Sequence, residues 1–117
     1  MMPAAYANEM DRCIQNCQHC HDLCWSTYTY CVQRPHPHND PNHLRLLLDC
    51  IQICQTSADF MLRQSDLHPF VCGSCAEVCQ RCAEDCSSMG DDLQMESCAA
   101  ACQRCADSCR QMAVSHA

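Results

Sequence analysis

The sequence predicts an all-α protein, an antiparallel four-helix bundle with a cysteine-lined core, and three observations lead there. Cysteines recur at alternating three- and four-residue steps, as in CGSCAEVCQRCAEDC at residues 72–86. That is the spacing of a heptad seam, the stripe a helix turns toward its partners. Between the cysteines stand Ala, Gln, Glu and Arg, all good helix formers. Proline- and glycine-bearing stretches then cut the chain into four segments, each long enough for a helix of roughly 20–30 residues.

Each element has its own punctuation. Pro3 suits the N1 position of a first helix running to about Gln33. The stretch RPHPHNDPN breaks the chain, and Asp40 followed by Pro41 is a cap-plus-N1 start for a second helix to about Gln64. SDLHP turns the chain again. Pro69 can start a third helix, with Ser74 and Glu77, a capping-box pair, as the alternative start. Gly90 suits the C′ position that ends it, and Asp91 is placed to cap a fourth helix. Short turns and a modest length make residues 1–117 one domain.

The register is carried by sulfur. The first helix has Cys13, Cys17, Cys20, Cys24 and Cys31, and the second only Cys50 and Cys54. The third has Cys72, Cys75, Cys79, Cys82 and Cys86, and the fourth Cys98, Cys102, Cys105 and Cys109. The same lines continue into Met10, Met61, Met89, Met95 and Met112. All sixteen thiols therefore fall on faces that an antiparallel bundle turns inward. Cysteine acting as a small hydrophobe accounts for one or two such positions. It does not account for the set, because so small a side chain at nearly every seam position forgoes roughly 0.8 kcal/mol per missing CH₂.

Composition narrows the chemistry. The net charge is −7, and the seven basic residues are all arginines with no basic block. That argues against a nucleic-acid or anionic-membrane surface. The opening MMPAAYANEMDRC has no signal-like apolar run, and no stretch approaches a membrane span, so the expectation is a soluble, cytoplasmic protein. A secreted disulfide framework would be loop-rich, whereas this chain has two glycines and helix formers between its cysteines. In a reducing compartment, such thiols point to metal or redox chemistry.

Spacing then selects the metal. Seven CxxxC pairs occur, leaving Cys31 and Cys72 over. Partners at i and i+4 share a helix face, so one linear two-coordinate ion can join their sulfurs. Cu(I) is soft, prefers thiolate and thioether, and CxxC steps such as Cys17/Cys20 and Cys79/Cys82 let neighbouring sites share ligands. One Cu⁺ per thiolate leaves a neutral core. Zinc in four-thiolate sites would leave a buried charge of about −8, which the seam has no arginine to offset. Iron–sulfur clusters favour compact loop-borne runs instead. The expected cofactor is therefore Cu(I), multiple ions per chain, held by all sixteen cysteines. The alternatives are an iron–sulfur or thiol redox electron carrier and, third, a zinc buffer. Nothing in the chain pairs a nucleophile with a base, so the protein is expected to be no enzyme.

The remaining residues are assigned around that core. Antiparallel order brings Met10, Met61 and Met112, with His68 and His116, to one end of the bundle, as auxiliary ligands relaying ions inward or as simple end-fillers. His36, His38 and His43 are expected in a solvated first loop, and His19 and His21 outside the seam. Leu44, Leu46, Leu47 and Leu48 spread over more than one face of the second helix. With Trp25, Tyr28 and Phe60 they argue for a homo-oligomer.

Taken together, the number and register of these cysteines resemble the cytosolic copper storage proteins, four-helix bundles lined with CxxxC pairs that bind many Cu(I) ions. The resemblance runs from Cys13 to Met112 and includes the CAxxC pairs of the last two helices. It implies copper storage or buffering in the bacterial cytosol and a homotetramer of bundles. The chain departs from the family's pattern at Met95, where another cysteine would be expected, and along its cysteine-poor second helix.

Overall fold

A computed structural model describes residues 4–114, with side chains from 8 to 113. The expectations for Pro3 and His116 lie outside the described residues. Four α-helices follow one another: α1 Ala4–Val32, α2 Pro41–Leu62, α3 His68–Ser87 and α4 Leu93–Val114. Each packs against two others, α1 and α3 both contacting α2 and α4, so the helices stand at the corners of a square. The bundle measures 50 × 20 × 19 Å, the cross-section of two helices by two. Alanines 76, 83, 99 and 106 are buried alongside the cysteine lines of α3 and α4, and their small side chains let these two helices approach closely.

The helix ends follow local chemistry. The Asp40 carboxylate accepts hydrogen bonds from the backbone N–H groups of Asn42 and His43, with Pro41 directly after it, as the sequence leads one to expect. α2 ends at Leu62 with Arg63 as its C-cap, and the next residue, Gln64, has a left-handed φ of 53°. Ser65 N–H donates to Phe60 C=O and Gln64 N–H to Met61 C=O, the Schellman pattern with glutamine where glycine is usual. α3 begins at His68, one residue before Pro69, so Ser74 lies inside the helix and caps nothing.

The cap of α4 is Asp92, not Asp91. The helix starts at Leu93, so Asp92 directly precedes it, and its carboxylate accepts from the N–H groups of Gln94 at 3.0 Å and Met95 at 3.3 Å. The same carboxylate accepts the Tyr30 hydroxyl at 2.8 Å and meets His38 Nε2 at 2.9 Å. One side chain thereby ties the end of α1, the α1–α2 loop and the start of α4. His38 is held in this knot and is not a freely solvated loop residue.

Burial works against the Asp92 charge, but Tyr30, His38 and the two N–H groups outweigh it and hold the carboxyl below the usual carboxylate range. A carboxyl lowered in the folded state stabilises the fold above about pH 4 and ceases to as pH falls through its folded value. Asp92→Ala should therefore cost about 1–2 kcal/mol at neutral pH, read from the urea midpoint, with the gap to the parent protein closing under acid. Equal midpoints at neutral pH would remove Asp92 from this role.

Candidate metal centre

All sixteen cysteines are unpaired and fully buried. The heptad spacing places one line of sulfur on each helix, and the antiparallel order stacks the four lines into layers. Next to the first methionines, Cys13 lies 3.5 Å from Cys109, and the Ser57 hydroxyl lies 3.4 Å from Cys72 and 3.9 Å from Cys109. One layer further, Cys17 is 3.6 Å from Cys105, and Cys54 is 4.0 Å from Cys75. Then Cys20 meets Cys50 and Cys102, each at 3.7 Å, and Cys50 meets Cys79 at 3.6 Å. Cys24 follows, 3.7 Å from Cys98.

Sulfur also crosses the square. Cys54 reaches Cys105 at 3.7 Å and Cys50 reaches Cys102 at 4.0 Å, both between the diagonal helices α2 and α4. Three i,i+4 pairs touch within their own helix: Cys20/Cys24 at 3.9 Å, Cys75/Cys79 at 3.7 Å and Cys105/Cys109 at 4.0 Å. The thiols thus form a continuous column.

Four groups of four thiols are compact enough to surround one ion: Cys17/Cys75/Cys105/Cys109, Cys20/Cys50/Cys54/Cys79, Cys20/Cys24/Cys50/Cys102 and Cys54/Cys75/Cys79/Cys105. They overlap. The second and third share Cys20 and Cys50, the second and fourth share Cys54 and Cys79, and the first and fourth share Cys75 and Cys105. No more than two of these groups are disjoint, so they cannot all act as separate tetrathiolate sites. Neighbouring groups thus have thiols in common along the column.

The electrostatics suit a cation that replaces protons. Cys102 faces Cys20, Cys24, Cys50 and Cys82, and hydrogen bonds to them, with burial, push it well above the ordinary thiol range. Cys105 is raised in the same way by Cys109, Cys17, Cys20 and Cys54. Cys31 is pushed up to about 11, first by burial and then by the nearby Cys98 and Asp92. Cys20, Cys50, Cys72, Cys75 and Cys98 are lowered instead by hydrogen bonds from neighbouring thiols. Donors and acceptors thus alternate through the cluster, and the thiols cannot all ionise together in a low-dielectric core. The buried polar residues among those described are Thr27, His43, Ser57 and His68, with no arginine.

The two ends of the column differ. Met10, Met61 and Met112 continue the lines of α1, α2 and α4 at one end, all buried, with His68 heading α3 there. At the other end the His43 ring is also buried, correcting its expected place in a solvated loop, because α2 has already begun at Pro41. His43 Nε2 lies 3.4 Å from Cys31 Sγ, and Cys31 Sγ lies 3.6 Å from Met95 Sδ. His19 is exposed and His21 half-buried beside Asp22, both outside the column as expected.

Residue type conceals Ser57 and His43 as core residues, since both are polar. Position marks them: α2 keeps one unbroken register through His43, Leu47, Cys50, Cys54, Ser57 and Met61. Thr27 fills the corresponding gap between Cys24 and Cys31 on α1, where its hydroxyl donates to Leu23 C=O and accepts from Gln94. Of the four leucines in the first half of α2, Leu47 enters the core, while Leu44, Leu46 and Leu48 are half-buried and pack against its flank.

Comparison with known proteins meets this geometry. The sequence profile of the copper storage protein family matches residues 6–114. No curated protein matches the chain. Among solved structures, the Nmul_A1745 protein of Nitrosospira multiformis is 39% identical, with 92% of this chain and 97% of that chain covered at a TM-score of 0.87. Copper storage protein 3 of Bacillus subtilis, without copper, is 30% identical over 88% of this chain and 97% of its own, with a TM-score of 0.79. A cytosolic copper storage protein of Streptomyces lividans carrying five coppers is 26% identical, covering 92% of this chain and 93% of that chain, at a TM-score of 0.84. With a sulfur column through a four-helix bundle and a family match spanning nearly the whole chain, this protein belongs to the copper storage protein family.

Proposed function

We propose that this copper storage protein holds Cu(I) on all sixteen of its cysteines, at about one ion per thiol, by sharing thiolates along the column. The observation that carries the reading is the overlap of the four-thiol groups. Bond lengths agree with it. Taking a metal–thiolate bond of about 2.3 Å, a three-coordinate ion sets its sulfurs about 4.0 Å apart and a linear one about 4.6 Å. The i,i+4 pairs at 3.7–4.0 Å fit the first arrangement as they stand and reach the second by a small side-chain rotation.

The copper storage proteins of Bacillus subtilis and Streptomyces lividans, one of them Cu(I)-bound and the other loaded with ten copper equivalents, support the same cargo here. The protein acts as a store and not as a catalyst, since its thiols face one another and are closed from solvent. Cytoplasmic residence follows from thiols that must stay reduced. No described helix is long and apolar enough to cross a membrane. The exposed Trp25, edge-on to Tyr28 at 5.8 Å, and the half-buried leucines of α2 suit a subunit interface, and the family resemblance supports a tetramer. Met10, Met61 and Met112 serve as auxiliary ligands that pass ions to Cys13, Cys72 and Cys109. A thioether binds Cu(I) without losing a proton, which suits it to first capture.

Because each ion replaces a thiol proton, loading should release about one proton per Cu(I), measurable by pH-stat under anaerobic conditions. The sign follows from the raised thiols: acid favours their protonated form, so affinity falls about tenfold per pH unit for each proton displaced. Binding independent of pH would contradict thiolate ligation by these residues.

Met10→Leu, Met61→Leu and Met112→Leu combined keep volume, a swap costing under about 1.5 kcal/mol per site. Capacity should hold, since the thiolates remain, while stopped-flow loading from a Cu(I) chelate slows. Met89→Leu serves as the control with an unchanged rate. Equal rates in the triple variant would make these methionines packing alone. Sedimentation equilibrium of the apo protein should give an assembly of several chains, and a monomer at micromolar concentration would refute the interface.

A further inference from the structure

The overlapping thiol groups account for the column, but one cluster of ligating atoms stands apart from it. Cys31 belongs to none of the CxxxC pairs, and among the described residues no other thiol is in hydrogen-bonding contact with it. Its two partners are His43 Nε2 at 3.4 Å and Met95 Sδ at 3.6 Å. On α1 and α2 the seams between this cluster and the column carry Thr27 and Leu47, both fully buried and neither a ligand for a soft metal, while on α4 the column comes up to Cys98, which is not in hydrogen-bonding contact with Cys31.

The histidine is already oriented for coordination. Its Nδ1 is held by the Asp85 carboxylate of α3, so the Nδ1–H donates there and Nε2 is left with its lone pair facing Cys31. The one Cys31 S–H proton is available to either neighbour, Met95 Sδ or the Nε2 lone pair. A carboxylate behind an imidazole is the usual support for a metal-binding histidine, fixing both ring orientation and tautomer. Bonds of about 2.0–2.3 Å from one ion are compatible with the Nε2–Sγ and Sγ–Sδ separations of 3.4 and 3.6 Å.

We infer that Cys31, His43 and Met95 form a separate one-ion site for Cu(I), with Asp85 as the positioning residue, independent of the thiolate column. The inference rests on the copper reading above and assigns the two non-cysteine ligands that the thiol groups omit. Binding is a ligand exchange without redox change: the ion takes the place of the Cys31 thiol proton, and that proton leaves to solvent. One thiolate, a neutral imidazole, a neutral thioether and Cu⁺ sum to zero charge, as burial requires. A divalent ion would lack a fourth ligand. The thioether further favours the soft monovalent ion. Because the site shares no sulfur, its filling does not depend on how far the column is filled.

Two measurements on the full chain test this. In histidine-¹⁵N-labelled protein titrated anaerobically with Cu(I), one ring should show a large shift at Nε2 while its Nδ1 keeps its proton, and His43→Gln should delete that signal. In parallel, His43→Gln with Met95→Leu should lower saturation by about one ion per chain, leaving the thiolate-to-copper absorption of the column unchanged. An unshifted His43 ring in copper-saturated protein overturns the inference while leaving column storage intact. So does a double variant, folded by circular dichroism, that keeps full capacity. A parent protein whose column absorption never develops would instead defeat the copper reading itself. The ring measurement needs no variant that must fold, since the parent's shifted signal can be traced to His43 through its contacts with Cys31 and Asp85.

Discussion

The thiols of the column stand near van der Waals contact, and the helices carrying them must still hold together. A core of sulfur on single-carbon stems buries less apolar surface than one of leucine, at roughly 0.8 kcal/mol per missing CH₂. The rest of the molecule answers that constraint. Leu47 and the buried methionines Met10, Met61, Met95 and Met112 put bulk at and near the ends of the column. Leu44, Leu46, Leu48, Ile53 and Val78 pack half-buried against its flanks. Asp92 knots one end through Tyr30, His38 and the start of α4, and Asp40 caps α2. The buried alanines of α3 and α4 let those helices close on each other, so that sulfur rather than bulk spans the interior.

The same constraint decides the electrostatics. A core that keeps its thiols protonated is neutral, and exchanging each proton for a monovalent cation keeps it neutral at every stage of filling. Divalent metals break this balance, because the number of thiols needed to neutralise each ion does not match the number its coordination draws in. Cys31, Cys102 and Cys105, all raised above the ordinary thiol range, put that proton-for-copper exchange at the centre of both affinity and release. Acid returns the protons and frees the metal.

Much of the fold and of the sulfur column is legible in the residues alone. The three-four spacing of the cysteines specifies the helix faces, and Asp40–Pro41 and the two later turns set the helix order. Less legible is what stands at the seam positions without cysteine. His43 reads as part of a His- and Pro-rich loop, and only the early start of α2 carries it into the core beside Cys31. Ser57 and Thr27 read as ordinary polar helix residues, yet they occupy seam positions, where Ser57 meets Cys72 and Thr27 meets Gln94. Asp91 and Asp92 are indistinguishable as caps until the first helical residue is known. In each case the decisive information is register relative to a neighbouring helix, which a linear pattern does not contain.

Shared thiolate ligation, as proposed for the column, is measured most directly by capacity. Fully reduced protein, loaded anaerobically with excess Cu(I) and freed of unbound metal, can be assayed for copper and thiol together. Ligand sharing along the column predicts a plateau of about one Cu(I) per cysteine. A plateau near four ions per chain would mean separate four-sulfur sites and would contradict it.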